Sequence, residues 1–125
     1  MDAPCTGTGT WQRNPHARWT VRPDDVRELA EIQIRLLVNA ASSVKPGGKL
    51  IYSVCSLTRS ETVQVAEAFE KMSPEFCPLG LSNPLSPEGG TVERLFLLPQ
   101  QGGGNGMFVA CWLRKKGELQ RASTP

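Results

Sequence analysis

Lys45-Pro46-Gly47-Gly48-Lys49-Leu50-Ile51-Tyr52-Ser53-Val54-Cys55-Ser56 is the stretch on which the fold turns. Pro46 lacks an amide proton and the two glycines accept left-handed geometry, so a helix arriving from upstream must stop here. Lys49 to Val54 is then short, apolar and β-prone, the pattern of a buried parallel strand. Upstream, Pro23 to Val44 reads as a helix. Val26, Leu29, Ile32, Leu36 and Leu37 recur at three- and four-residue spacing and give it one apolar face. Asp24 or Asp25 suits its first turn, where free amides and the dipole favour a carboxylate. Downstream, Ser60 is placed to cap a second helix to about Met72, with Val63, Val65, Ala66 and Phe69 inward and Pro74 ending it.

Further out, Phe76 to Leu81 reads as a brief strand and 82–105, rich in Pro and Gly, as a long loop holding a short strand within Val92 to Leu98. Gly106 to Leu113 has strand character, and Arg114 to Pro125 forms a polar tail. Helix, strand, helix, strand, loop, strand is the layout of an α/β doubly wound sheet. The Asp2 turn stands where a strand ought to end, and the inner edge of the Lys49 strand would be bare. The sequence therefore predicts that the N-terminal portion of the sheet is missing.

Composition suits a soluble globular chain, with 39% hydrophobic and 21% charged residues. No apolar run approaches the ~20 residues that span a bilayer, and the N-terminus shows no basic-then-apolar leader. A cytoplasmic protein with no membrane partner is expected. The net charge of +2 is too small to decide for nucleic acid. Its distribution is more informative: Arg13, His16, Arg18 and Arg22 crowd one Trp-containing stretch, and Arg114, Lys115 and Lys116 close the last strand. A solvated face is the plain alternative for both clusters.

The four cysteines, at 5, 55, 77 and 111, include no C-x-x-C pair and match no zinc framework, so free thiols and no metal are expected. Cys77 and Cys111 lie inside apolar strands, where a thiol is a small core hydrophobe. Cys5 and Cys55 differ. Ligands of open α/β sheets bind outside the carboxyl ends of strands. Cys55 follows one such end and Cys5 follows the Asp2 turn, where another would be. If those strands are neighbours, ~5 Å apart, both thiols face one pocket. The turn Thr6-Gly7-Thr8-Gly9 also admits a phosphate-cradle reading, on a weak signal.

Asp2-Ala3-Pro4-Cys5-Thr6-Gly7-Thr8-Gly9, Arg13-Asn14-Pro15 with Trp19, Leu29-Ala30-Glu31-Ile32-Gln33, the Lys45–Ser56 stretch and Gly106-Met107-Phe108-Val109-Ala110 follow one another in order. This ordered set resembles the motifs of the Sun (RsmB-type) RNA cytosine-5 methyltransferases, over roughly residues 2 to 116. The resemblance implies the C-terminal half of a Rossmann-like class I S-adenosylmethionine-dependent methyltransferase sheet, with the N-terminal half missing. Residues 1–116 would form part of the catalytic domain and 117–125 a tail. Two departures stand out. The family usually has Thr where Val54 precedes the cysteine, and the Gly-rich segment that holds most of the cofactor would lie upstream of Asp2.

Carbon 5 of cytosine is a poor nucleophile, and a thiolate adding to carbon 6 remedies this by pushing electron density onto carbon 5. The resemblance implies that Cys55 is that attacking thiolate, that Cys5 helps release the product, and that Asp2 contacts S-adenosylmethionine or the target base. A free thiol has a pKa of ~8.5, so Cys55 needs a cation or helix N-terminus nearby; Arg59 and the helix near Ser60 are the candidates. Arg13, Arg18 and Trp19 can meet RNA phosphate and a splayed base; alternatively Trp19 packs on the sheet edge and the arginines are solvated. His16 is lone and expected to be exposed.

The function so implied is methyl transfer to cytosine in RNA, ribosomal RNA first and transfer RNA second, by a complete protein acting as a monomer. This piece alone would be inactive. A non-catalytic RNA-binding remnant is the alternative from another class, and a thiol-redox or nucleotide-binding half-domain is a third. The third lacks both C-x-x-C and a complete Gly-rich fingerprint.

Overall fold

The computed structural model describes residues 1–117, so most of the expected 117–125 tail lies outside the described residues. Helix α1 spans Pro23–Ala41, strand β1 Lys49–Val54, helix α2 Val63–Met72 and strand β2 Phe76–Leu79. Short strands β3 (Leu81–Ser82), β4 (Thr91–Val92) and β5 (Leu95–Leu97) follow, then the one-turn helix α3 (Pro99–Gly102) and the long strand β6 (Met107–Arg114).

β6 lies between β1 and β2 and is antiparallel to both. β1 and β2 are therefore parallel to each other, with α2 as their crossover. β5 continues the β2 edge of β6 by pairing Leu95–Leu97 with Val109–Met107. The expectation of a purely parallel setting for Lys49–Val54 needs correction. Its one parallel partner among the described residues is Asp2, in a single bridge to Ser53. The α/β class itself stands.

Alternation along the two central strands decides which face is buried. The register sets Leu50 opposite Trp112, Tyr52 opposite Ala110 and Val54 opposite Phe108, and all six side chains are buried. Ile51, on the other face of β1, is exposed. α1 and α2 pack on each other over the buried face, contributing Leu37 and Ala41 from one helix and Val65, Ala66 and Phe69 from the other. The Phe69 ring meets Trp112 at 4.7 Å and Phe76 at 5.4 Å. Each such aromatic is worth about 1.5–3 kcal/mol on burial.

Three helix expectations shift. α1 stops at Ala41, short of Val44, although Gly47 does take the left-handed φ of 79° expected of the turn. Its buried stripe is Ala30, Gln33, Leu37 and Ala41, whereas Leu36 is exposed. α2 starts at Val63 and not at Ser60, because Arg59–Thr62 is occupied by a turn around Glu61. At the other helix start, the Arg22 amide donates to the Asp25 carboxylate at 2.8 Å and Asp24 pairs with Arg27.

Two residues of the last basic cluster bond back to the fold, while Lys115 and Lys116 are exposed. The Arg114 guanidinium donates to the Val44 carbonyl and lies 6.0 Å over the Phe76 ring, and Lys115 donates to the Pro74 carbonyl at 3.1 Å. Cys111 is buried, as a core thiol should be, and Cys77 is only half-buried.

Candidate active site

Met1–Ala3 runs alongside the end of β1: the Ala3 amide donates to the Ser53 carbonyl at 3.0 Å and the Ser53 amide to Met1 at 2.9 Å. Both segments then stop, and each delivers a cysteine just past the bridge, Cys5 three residues after Asp2 and Cys55 two after Ser53. The Cys5 and Cys55 sulfurs stand 3.4 Å apart, both residues half-buried. The sulfurs thus meet, as neighbouring strand ends predict, although the adjoining cavity is lined by Cys5 and not by Cys55.

The loop after Cys5 is shaped by two glycines. Gly7 takes a φ of 72°, which lets Thr10 turn back on it. Gly9 is pressed between the two other loops: its amide donates to the Cys55 carbonyl at 2.9 Å and its carbonyl accepts from Gly106 at 2.7 Å. A Cβ there would sit 2.1 Å from the Gly106 oxygen. The Thr6 and Gly9 amides of this loop are thus taken up internally, by Glu61 at 2.7 Å and by Cys55 at 2.9 Å.

Beneath the thiols lies a group that the sequence reading missed. Glu61 has no exposed surface. Its carboxylate accepts from the Thr6 amide at 2.7 Å and the Thr6 hydroxyl at 2.6 Å. It also accepts from the Ser56 hydroxyl at 2.5 Å, the Thr58 hydroxyl at 2.6 Å and the Gln33 amide at 3.2 Å. Burial by itself would push this carboxyl up; the hydrogen bonds from Ser56, Thr58 and Thr6 prevail and hold it below the ordinary glutamate value. Gln33 also donates to the Pro4 carbonyl at 2.8 Å. Buried Tyr52 donates towards Gln33 at 3.1 Å and to the Glu61 carbonyl at 2.6 Å. Burial, then the Glu61 charge, push its phenol far above the usual range.

One carboxylate therefore braces the residue after Cys5, the residue after Cys55 and the helix behind them. Two signals could have found it. Thr58-Arg59-Ser60-Glu61 has the S/T-x-x-E spacing of a capping box, and Gln33 is a polar residue on the buried stripe of α1.

Burial, followed by the hydrogen bond with Cys55, pushes the Cys5 thiol up to about 12. Cys5 thus keeps its proton at neutral pH. Asp2 is exposed beside the strand end. Cavities of about 360 and 470 Å³ adjoin the corner, the first lined by Cys5, Thr6 and Asp25, the second by Thr8, Trp11, Arg22 and Thr58. The Trp11 indole N–H is buried without a protein partner.

Arg13, His16, Arg18 and Trp19 do not join the corner's hydrogen bonds. Pro15–Trp19 forms a 3-10 helix in which Trp19 is 74% exposed, with the Arg18 guanidinium 4.8 Å over its ring. Packing of Trp19 on the sheet edge is therefore ruled out. Arg59 is exposed, and no helix begins at Ser60 to face Cys55.

The family model of the 16S rRNA methyltransferase RsmB/F matches residues 1–113. The chain is 41% identical over 121 residues to the probable ribosomal RNA small subunit methyltransferase B of Bacillus subtilis, covering 94% of this chain and 27% of that protein. It is 46% identical over 78 residues to the ribosomal RNA small subunit methyltransferase B of Thermus thermophilus, covering 62% and 20%. Among solved structures, that of PH0851 superposes with a TM-score of 0.81 at 36% identity, over 89% of this chain and 25% of that one. The chain spans about a quarter of the length of these relatives. Order of motifs, sheet and sequence likeness agree, and the chain belongs to the 16S rRNA methyltransferase RsmB/F family.

Proposed function

We propose that the complete protein carrying this segment methylates carbon 5 of a cytosine in RNA, ribosomal RNA before transfer RNA, with Cys55 as nucleophile and Cys5 as its helper. The observation that carries this reading is the 3.4 Å contact between two thiols delivered by neighbouring strand ends. Cys55, at the end of β1, matches the family's attacking cysteine and is the sulfur that adds to carbon 6; Cys5, whose thiol burial pushes up, is the partner in contact with it. The adduct makes carbon 5 electron-rich. Once carbon 5 carries its methyl group and has lost its proton, the carbon–sulfur bond to Cys55 breaks, with Cys5 in contact to assist.

S-adenosylmethionine, when bound, supplies the methyl group. Of the residues described, Asp2 fits a place beside it: an exposed carboxylate at the tip of the strand that leads to Cys5, able to accept from a hydroxyl or ammonium. Glu61 holds both thiol loops in register, and the flanking cavities give a splayed base room to approach.

Arg13, Arg18 and Trp19 are the proposed RNA contacts, supported by their exposure and by the stacked guanidinium and indole, which offer a phosphate partner and a base platform. In this reading residues 1–116 are part of the catalytic domain and 117–125 its tail. The complete protein works in the cytoplasm as a monomer, without metal. The paired, braced thiols favour this over a non-catalytic RNA-binding remnant.

The test is covalent trapping. In the complete protein, Cys5→Ala should accumulate an RNA adduct that survives denaturation, and adding Cys55→Ala should abolish it. An adduct that persists without Cys55 would overturn the choice of nucleophile.

A further inference from the structure

We propose that Cys5 and Cys55 form a modification site for hydroperoxides, which convert the pair to an intramolecular disulfide and so silence the thiol corner. Sulfurs 3.4 Å apart are already in contact, and a disulfide needs about 2.05 Å. Shared between two side chains, the movement is less than about 1 Å each. Both backbones are held in place around the pair. The segment before Cys5 is tied to β1 through Ala3 and Ser53, the Cys55 carbonyl is held by Gly9, and Glu61 binds the residue following each cysteine.

The chemistry balances without a further reagent. The Cys55 thiolate attacks one peroxide oxygen, the O–O bond breaks, and water or the corresponding alcohol leaves, giving a sulfenic acid on Cys55. The Cys5 sulfur then displaces the hydroxyl, which departs as water with the Cys5 proton. Two thiols are oxidised by two electrons and the peroxide is reduced by two. A resolving thiol in contact with the sulfenic acid also intercepts it before irreversible oxidation. Cys77 and Cys111 serve as internal controls. Cys77 is half-buried, and Cys111 is buried with its thiol pushed up by that burial.

The disulfide stands on geometry alone; the loss of function rests on the reading of Cys55 as nucleophile. Hydrogen peroxide added to the reduced chain should remove two hydrogens from the intact mass, in most molecules, at a dose that leaves Cys77 reduced. Peptide mapping should join the Cys5 peptide to the Cys55 peptide, and dithiothreitol should reverse the change. Cys5→Ser should instead leave a Cys55 sulfenic acid that dimedone captures. A bridge to Cys77 or Cys111, direct passage of Cys55 to sulfinic acid, or Cys77 reacting first would overturn the site. In the complete protein, methyl transfer to RNA should fall in step with the disulfide and return on reduction. Disulfide formation with methyl transfer intact would leave the oxidation site standing and sink the nucleophile assignment.

Discussion

Two glutamates hold the two ends of this sheet, and they do so by opposite means. Glu61, under the cysteine corner, has no exposed surface and takes its hydrogen bonds from neutral donors: one backbone amide, three hydroxyls and a carboxamide. Glu70, on α2 near the far end of β6, is a quarter exposed and meets a cation. Arg94 bonds it at 2.8 and 2.9 Å, and the Trp112 indole donates at 2.8 Å. Both carboxyls are held below the ordinary glutamate value against the opposing effect of burial, Glu61 by hydroxyl and amide bonds and Glu70 by Arg94 and Trp112. The Glu70 cluster fastens the β5 approach to a helix. The Glu61 cluster keeps a net negative charge buried beside two thiols, a costly arrangement that a purely structural brace does not need.

The sharpest way to break this contrast is Glu61→Ala. Hydroxyls can turn elsewhere and Gln33 keeps its bond to the Pro4 carbonyl, but the Thr6 amide and the second Gln33 N–H lose their acceptor. Leaving such donors unpaired costs about 3–5 kcal/mol in unfolding free energy, readable by urea denaturation. A loss below about 1 kcal/mol would show that water replaces the carboxylate and that the corner is not braced by it. Glu61→Gln is milder, at about 1–2 kcal/mol, since one oxygen still serves Thr6 and Gln33 while the new NH₂ donates to Ser56 or Thr58.

Glu70→Gln should cost less again, about 1 kcal/mol, because the indole bond survives and Arg94 retains access to water. Acid titration separates the pair further. Each folded carboxyl titrates below its unfolded counterpart, so the stabilisation is full above the unfolded value of ~4.3 and is lost as pH falls through the folded values. Unfolding free energy should therefore drop with falling pH in that window. Either Gln variant should flatten the slope, and an unchanged slope in Glu61→Gln would mean the corner carboxyl is already protonated.

How much of this was legible in the sequence follows from the same contrast. The strand at Lys49–Val54, the helix before it and the meeting of Cys5 with Cys55 rest on local signals: alternation, a Pro-Gly-Gly stop and the rule that ligands gather at strand ends. Glu61 was not legible, because its five bonds come from three separate segments and only Thr58 and Ser56 lie close in the chain. For the same reason α2 starts late: the turn that aims Glu61 inward displaces the cap expected at Ser60. Antiparallel β6 escaped notice because a strand's direction is set by its partners, and an apolar run such as Met107–Leu113 reads alike both ways.

The smallest effect on the fold should come from the segment least tied to either glutamate. Arg18 stacks on Trp19, itself 74% exposed, in a short 3-10 helix with no buried residue. An exposed stacked pair of this kind is worth about 0.5–1 kcal/mol at most, and the unfolded chain keeps part of it through adjacency. Arg18→Ala should thus shift unfolding free energy by no more than about 0.5 kcal/mol. Its consequence should instead fall on RNA. If the guanidinium neutralises one phosphate, the complete protein should bind RNA more weakly, and the slope of log affinity against log salt should fall by about one. Salt-series binding with the native protein and the variant checks this. An unchanged slope with unchanged affinity would reduce Pro15–Trp19 to a solvated face, and RNA contact would then have to be sought at the cavities beside the thiols.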